Sequence, residues 1–244
     1  MLLPLASRAQ ADESPREGWC GETAAQEGLL HLGAYVSQAA IHRAGNPSHA
    51  DLYSHELPVA LSALGVRFTR FPGGGYGAFV AWVREALGRS APVLAGVKLL
   101  PTQHPEWGLD HFVLVVGEGE PGLLVDTTWG TREWSNDKKT RGISFVNAGY
   151  GLRFIGLELP RGVVAARPAR LVVRREDATT VSLRATCAAG AAAAGTHAST
   201  ARIVCRKNPR AVEAFLTSAP DVSGFMDLDV PRAQSAWCVC VGDP

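Results

Sequence analysis

No apolar run in this chain comes near the roughly 18 residues that a membrane-spanning helix needs, and no sign of charge dominates it. The 24 Lys and Arg nearly cancel the 23 Asp and Glu. A formal net charge of +1 gives no electrostatic ground for binding nucleic acid or an anionic membrane surface. Also missing is the Cys-x-x-Cys pair that opens many zinc sites. His55-Glu56-Leu57-Pro58-Val59 lacks the second His of a zincin, and there is no Gly-x-Ser-x-Gly elbow for a serine hydrolase. Gly73-Gly74-Gly75-Tyr76-Gly77-Ala78 matches the dinucleotide pattern by letter. No acidic residue ends the next strand near Lys98, however, and the parallel alternation is missing, so the run reads as a flexible turn. No internal repeat is visible. The expectation is an absence of both metal and cofactor.

What is present is enough for a core. At 244 residues and 46% hydrophobic content, the chain suits one large or two smaller domains. Residues 1–14 read as a signal-peptide remnant or a disordered arm. They end near Ala9-Gln10-Ala11, an Ala-x-Ala pattern of the kind signal peptidase reads, although no basic residue precedes the short apolar stretch. Helices are expected from about Gly21 to Gly33, Leu57 to Leu64 and Tyr76 to Leu87, the last with Phe79, Val80, Val83 and Leu87 at helical spacing. Strands are expected at Val66 to Phe71, Pro92 to Leu99, His111 to Gly117, Leu123 to Asp126 and Leu152 to Leu159. Helices first and a hairpin-linked sheet afterwards make residues 15–160 an α+β domain.

Beyond Pro160 the pattern is strand-like throughout. Val181, Leu183, Ala185 and Cys187 alternate with polar residues, and further strands are expected at Leu171 to Arg174, Ala201 to Cys205, Phe225 to Val230 and Ala236 to Val241. The small-residue stretch from Ala188 to Thr200 reads as a flexible loop. Residues 161–244 are therefore expected to form a small β-sandwich, a possible surface for a protein partner. Its cysteines, Cys187, Cys205, Cys238 and Cys240, suit two disulfides, with buried free thiols as the alternative. With the Ala-x-Ala pattern, that favours an exported, periplasmic or secreted protein.

Cys20 is the fifth cysteine, far from the rest and directly before a helical pattern. A thiol at a helix start meets unsatisfied amides that favour the thiolate. A base must reach it. His111 opens one strand, Glu118-Gly119-Glu120-Pro121-Gly122 turns the chain, and Asp126 closes the next strand. A hairpin centred near Glu118 and Gly119 makes His111 and Asp126 cross-strand neighbours, with Cβ atoms ~5 Å apart. Asp110 falls on the other face of its strand. Trp19, Trp107, Trp129 and Trp134 lie close in sequence to these motifs, and the first three are candidates to line a substrate cleft.

Trp19-Cys20-Gly21-Glu22-Thr23 with Gln26, then His111-Phe112-Val113-Leu114-Val115-Val116-Gly117 and Leu124-Val125-Asp126, resembles the peptidase C39-like branch of the papain-like cysteine peptidases. The resemblance covers roughly residues 15 to 160. It implies a papain-like fold with Cys20 as nucleophile, His111 as base and then acid, and Asp126 as orienter, acting on a peptide or other amide bond. The family generally places an oxyanion Gln about six residues before the nucleophile. Here that position is Ser14, and Gln10 is nearby only if an irregular loop returns it. The Cys20 backbone N–H is expected to supply one oxyanion donor. The alternatives are a non-enzymatic exported protein that holds a peptide or partner in the same cleft, and a transglutaminase-like acyl transferase.

Overall fold

The computed structural model describes residues 7–10, 18–32, 36, 38–145, 147 and 149–157, together with the backbone of strands at 165–166, 168–175, 180–187, 191–195, 211–217 and 238–242. The first part is mixed α+β: four helices and an antiparallel sheet. The helices are α1 (Cys20–His31), α2 (Gln38–Gly45), α3 (Leu57–Ala63) and α4 (Gly75–Gly88). The strands are β1 (Val66–Arg70), β2 (Val93–Leu99), β3 (His111–Gly119), β4 (Gly122–Asp126), β5 (Arg132–Trp134), β6 (Ile143–Ser144) and β7 (Gly151–Leu157). They form one sheet in the order β1-β7-β2-β3-β4-β5, with β6 added to β2. No helix among the described residues is long and apolar enough to cross a membrane.

The core explains why Cys20 sits where it does. β2, β3 and β4 are near-continuous runs of Val and Leu, buried on both faces, as strands covered on both sides must be. α1 lies across this sheet, packing chiefly on β3, and every one of its residues is buried. Such close approach needs a helix face without bulk. A Cβ on Gly28 would sit 2.5 Å from the Phe154 ring, which is itself fully buried. Gly28 therefore lets α1 rest against the Phe154 ring of β7.

α2, β5 and β6 were not expected from the sequence. Beyond Pro160 the described backbone adds two three-stranded sheets. In one, β10 (Thr180–Cys187) lies between β9 (Pro168–Arg175) and β12 (Ala211–Thr217). In the other, β13 (Cys238–Gly242) lies between β11 (Ala191–Gly195) and β8 (Ala165–Ala166). β11 corrects an expectation: part of the stretch read as a loop pairs with β13, Ala193 opposite Cys240, because small residues fit a strand as well as a coil. The strands expected at 201–205 and 225–230, and the side chains of the four late cysteines, lie outside the described residues. So do residues 1–6 and 11–14 of the expected arm. Residues 7–10 of that arm are part of the fold.

Candidate active site

Cys20 is the first residue of α1, reached through Gly18 (φ 119°) and Trp19. Its backbone N–H is already used. It donates to the Gly18 carbonyl at 2.8 Å, so the donor expected at this position is turned away from any oxyanion. The backbone amides of Phe112 and Gly21 lie beside the sulfur and act against the effect of burial on it. Phe112 is the second residue of β3, so the thiol is seated one residue from His111. Cys20 and His111 line a single cleft of about 620 Å³, together with Ala9, Gln10, Asp51, Gln103, Asp110 and Trp129.

The imidazole is held by a backbone group. Nε2 of His111 donates to the Thr127 carbonyl at 3.0 Å, with Thr128 Oγ1 at 3.3 Å. A carbonyl only accepts, so Nε2 carries the proton and Nδ1 is left as the basic nitrogen. The loop that delivers this carbonyl is under strain. Thr128 has φ of 65°, a cost of about 1–3 kcal/mol for a β-branched residue. Thr127 ties the loop shut through its N–H and Oγ1 to the Thr131 carbonyl, each at 3.0 Å.

Asp126 does not orient His111, which corrects the expected pairing. The hairpin turn is Glu120–Pro121, with Gly119 opposite Gly122, and a bulge at Val116 takes back only one residue of the slip. Asp126 therefore faces Leu114. A register error of this size moves every later pair with it. Continuing the observed register places Trp129 across from His111, and the two rings stack at 4.7 Å and 21°. The Asp126 carboxylate is spent on Arg132, Oδ1 to Nε at 2.6 Å and Oδ2 to Nη2 at 2.8 Å. Buried Glu27 and half-buried Arg8 lie close enough for their charges to act on the same group.

Gln10 reaches the cleft on a strap. Ala9 bridges Trp129, the Gly130 N–H donates to Arg8 O at 3.0 Å, and the Gln10 N–H donates to Thr128 O at 2.9 Å. The Arg8 N–H also donates to Glu27 Oε1 at 2.6 Å. Residues 7–10 thus run against the same loop that anchors His111. The Gln10 side chain accepts from the Gly18 N–H at 3.2 Å through Oε1, which leaves its NH2 group as a donor beside the cleft. Spacing alone could not place it, since ten residues separate it from Cys20.

Of the three tryptophans expected at the substrate, Trp129 lines the cleft. Trp19 is turned to α2, stacking on His42 at 5.0 Å and donating Nε1 to Ala50 O at 2.8 Å. Trp107 is exposed and stacks on His104 at 4.0 Å. The Gly73–Gly75 run opens α4 and does not line the cleft.

Burial sets the resting charge state. Cys20 is 7% exposed and His111 3%. Desolvation pushes the thiol up to about 12, against the opposing effect of the Phe112 amide, while nearby Glu22 and Asp51 add to the rise. Desolvation also pushes the imidazole down to about 4. Both shifts favour neutral forms, so the free cleft holds a thiol and an imidazole rather than an ion pair. No protein-family model and no characterised protein matches the chain.

Proposed function

We propose that the cleft is the active site of a papain-like cysteine hydrolase acting on a peptide or other amide bond. The observation that carries this reading is that the Cys20 thiol and the His111 imidazole line one cleft, with the imidazole held in one tautomer by the Thr127 carbonyl. A nucleophile at the start of a buried helix and a base at the start of a central strand is the arrangement the C39-like resemblance implies.

Because the dyad rests uncharged, proton transfer accompanies attack. The Cys20 sulfur bonds to the substrate carbonyl carbon as its proton passes to Nδ1 of His111, and the carbonyl oxygen becomes an oxyanion. The NH2 group of Gln10 stabilises that charge, a contribution worth about 3–4 kcal/mol where such donors have been removed. The imidazolium then gives its proton to the leaving amine as the C–N bond breaks, leaving a thioester. Water, deprotonated by the same imidazole, attacks the thioester and releases the acid, and the thiol recovers its proton. Trp129, stacked on His111, shields the Nε2–carbonyl bond from water. If an amine resolves the thioester instead, the protein is an acyl transferase.

A second reading has one observation in its favour. A thiol 7% exposed and pushed up to about 12 is a poor nucleophile at rest, and the same cleft would then hold a peptide without cleaving it. The two readings separate on intact mass after mixing with a library of short peptide amides and thioesters. A Cys20-dependent acyl adduct and turnover support the hydrolase; bound but uncleaved peptide supports the binding protein. Adding a primary amine distinguishes transfer from hydrolysis.

Export belongs to this reading as a proposal, and it has a consequence for the site. Cleavage after Ala11 would separate Gln10 from the cleft, so a cleaved leader and a Gln10 oxyanion donor exclude one another. The N-terminal mass of protein recovered from producing cells decides between them.

A further inference from the structure

Among the described residues two carboxylates line the cleft, and they are treated differently. Asp110 is neutralised: Lys98 Nζ lies 2.7 Å from Oδ2, and the Leu99 N–H donates to Oδ1 at 2.8 Å. Asp51 makes no hydrogen bond or ion pair among the described residues. Among the described residues, no Lys or Arg lines the cleft. The basic groups that act on Asp51 are His42 and His49, with Glu56 opposing them.

The backbone on both sides of Asp51 is pinned. Ala50 O accepts from the Trp19 indole at 2.8 Å, and the Leu52 N–H donates to the buried Glu22 at 3.0 Å. The carboxylate lies over Gly18: a Cβ on that glycine would be 3.6 Å from Asp51 Cβ and 4.0 Å from Oδ2. Gly18 is two residues from Cys20, and its N–H holds Gln10. Asp51 is thus a half-buried carboxylate beside the nucleophile, on a pinned backbone and with no hydrogen-bond or ion-pair partner among the described residues. An unpaired carboxylate in this place works against the chemistry, since its field opposes ionisation of the thiol. The cost is removed if the ligand brings the missing positive charge.

We propose that Asp51 selects ligands bearing an ammonium or guanidinium group close to the reacting carbonyl. The proposal rests on the reading of this cleft as the substrate site. Leu99 and Trp129, the latter 39% exposed, offer an apolar wall for the aliphatic stem such groups carry. A bound cation would also lift one of the charges that hold the Cys20 thiol protonated, so the right substrate would help to ionise its own nucleophile. Two sources share this chemistry: a basic side chain next to the scissile bond, or an amine that resolves the acyl-enzyme.

The test compares three methanethiosulfonates, with trimethylammonioethyl, sulfonatoethyl and methyl tails. Rates at Cys20 are read by peptide mass and normalised to a free small thiol. In the wild type the cationic reagent should outpace the anionic one roughly tenfold or more at low salt, with the ratio shrinking at high salt. In Asp51→Asn the ratio should fall toward one, and in Asp51→Lys it should invert. A ratio near one in the wild type, or one that Asp51→Asn leaves intact, overturns the proposal. Should all three reagents fail at Cys20, binding of benzoyl-arginine amide against benzoyl-citrulline amide to the wild type decides, and equal affinity overturns it. The methyl reagent separates this result from the hydrolase reading, because its rate and its dependence on His111 report the dyad without charge. With peptide amides, Arg favoured over citrulline identifies a substrate side chain; agmatine incorporated into product identifies an acceptor amine.

Discussion

The Nε2–H of His111 ends on the Thr127 carbonyl oxygen, 3.0 Å away, while the Asp126 carboxylate one residue back is locked to Arg132. Adjacent residues of one loop therefore divide two tasks: a main-chain atom orients the imidazole, and a side chain holds an ion pair. Asp126→Asn should cost about 1–3 kcal/mol in denaturant unfolding, the usual loss for charge-assisted hydrogen bonds, since Arg132 is partly exposed and keeps Glu27 beside it. Cys20 alkylation at a permissive temperature should change less than threefold. Loss of His111-dependent reactivity in a variant of wild-type stability would return Asp126 to the role of orienter.

Gln10→Ala tests the oxyanion donor separately from the nucleophile. Alkylation by iodoacetamide creates no oxyanion, so its rate at Cys20 should stay within a few-fold of wild type. Turnover of an amide or thioester substrate should fall about 100- to 1000-fold. Equal losses in both assays would mean that the strap positions Cys20 rather than the transition state.

The thiol's raised pKa has a direct readout. With Cys20 pushed up to about 12, the native thiolate fraction should climb about tenfold per pH unit from 7 to 10 without levelling off. Iodoacetamide labelling of the native protein should follow that slope. A plateau of fast labelling near pH 6 that disappears in His111→Ala would instead reveal a preformed thiolate–imidazolium pair.

Acid should loosen the fold through His111. Its native value, near 4, lies below the ordinary 6.5, so the unfolded chain takes up the proton first as pH falls. The stability this neutral imidazole contributes is present above pH 6.5 and is lost between 6.5 and 4, on the order of 3 kcal/mol. Buried Glu22 and Glu27, both raised by desolvation, act in the opposite sense, so the wild-type profile alone is a mixture. The difference between wild type and His111→Gln isolates the histidine and should shrink by that amount across the window. Parallel profiles would refute the assignment.

Much of the frame could be read from residue order. α1, α3, α4 and β1 to β4 fall within about two residues of expectation, because each carries a periodic apolar pattern with a Gly or Pro near its end. α2 escaped because Gln38-Ala39-Ala40-Ile41-His42 has little apolar signal of its own and is shaped by what it packs on. β5 and β6, three and two residues long, exist only through their partners. The placement of Cys20 and His111 at the starts of their elements was legible, and both line one cleft. The pairing of Asp126 was not legible, since its partner depended on where a five-residue turn placed its corner. Gln10 was ambiguous, since a long-range bridge and not local spacing brings it in. Asp51 sat in a loop without pattern, and its meaning came only from the company it lacks.

The bridge between Ala9 and Trp129 makes the choice of first residue in a recombinant protein a chemical decision. A version begun at residue 12 would retain the thiol and the imidazole. It would lack the amide beside them and the Arg8 N–H that caps Glu27, and would leave one edge of the 127–131 loop bare. Such a version could fold, bind and still be silent in an assay. A fusion partner attached tightly ahead of residue 7 would pull on the same bridge from outside. Screening for substrates should therefore start with residues 7–11 in place and any tag at the other end.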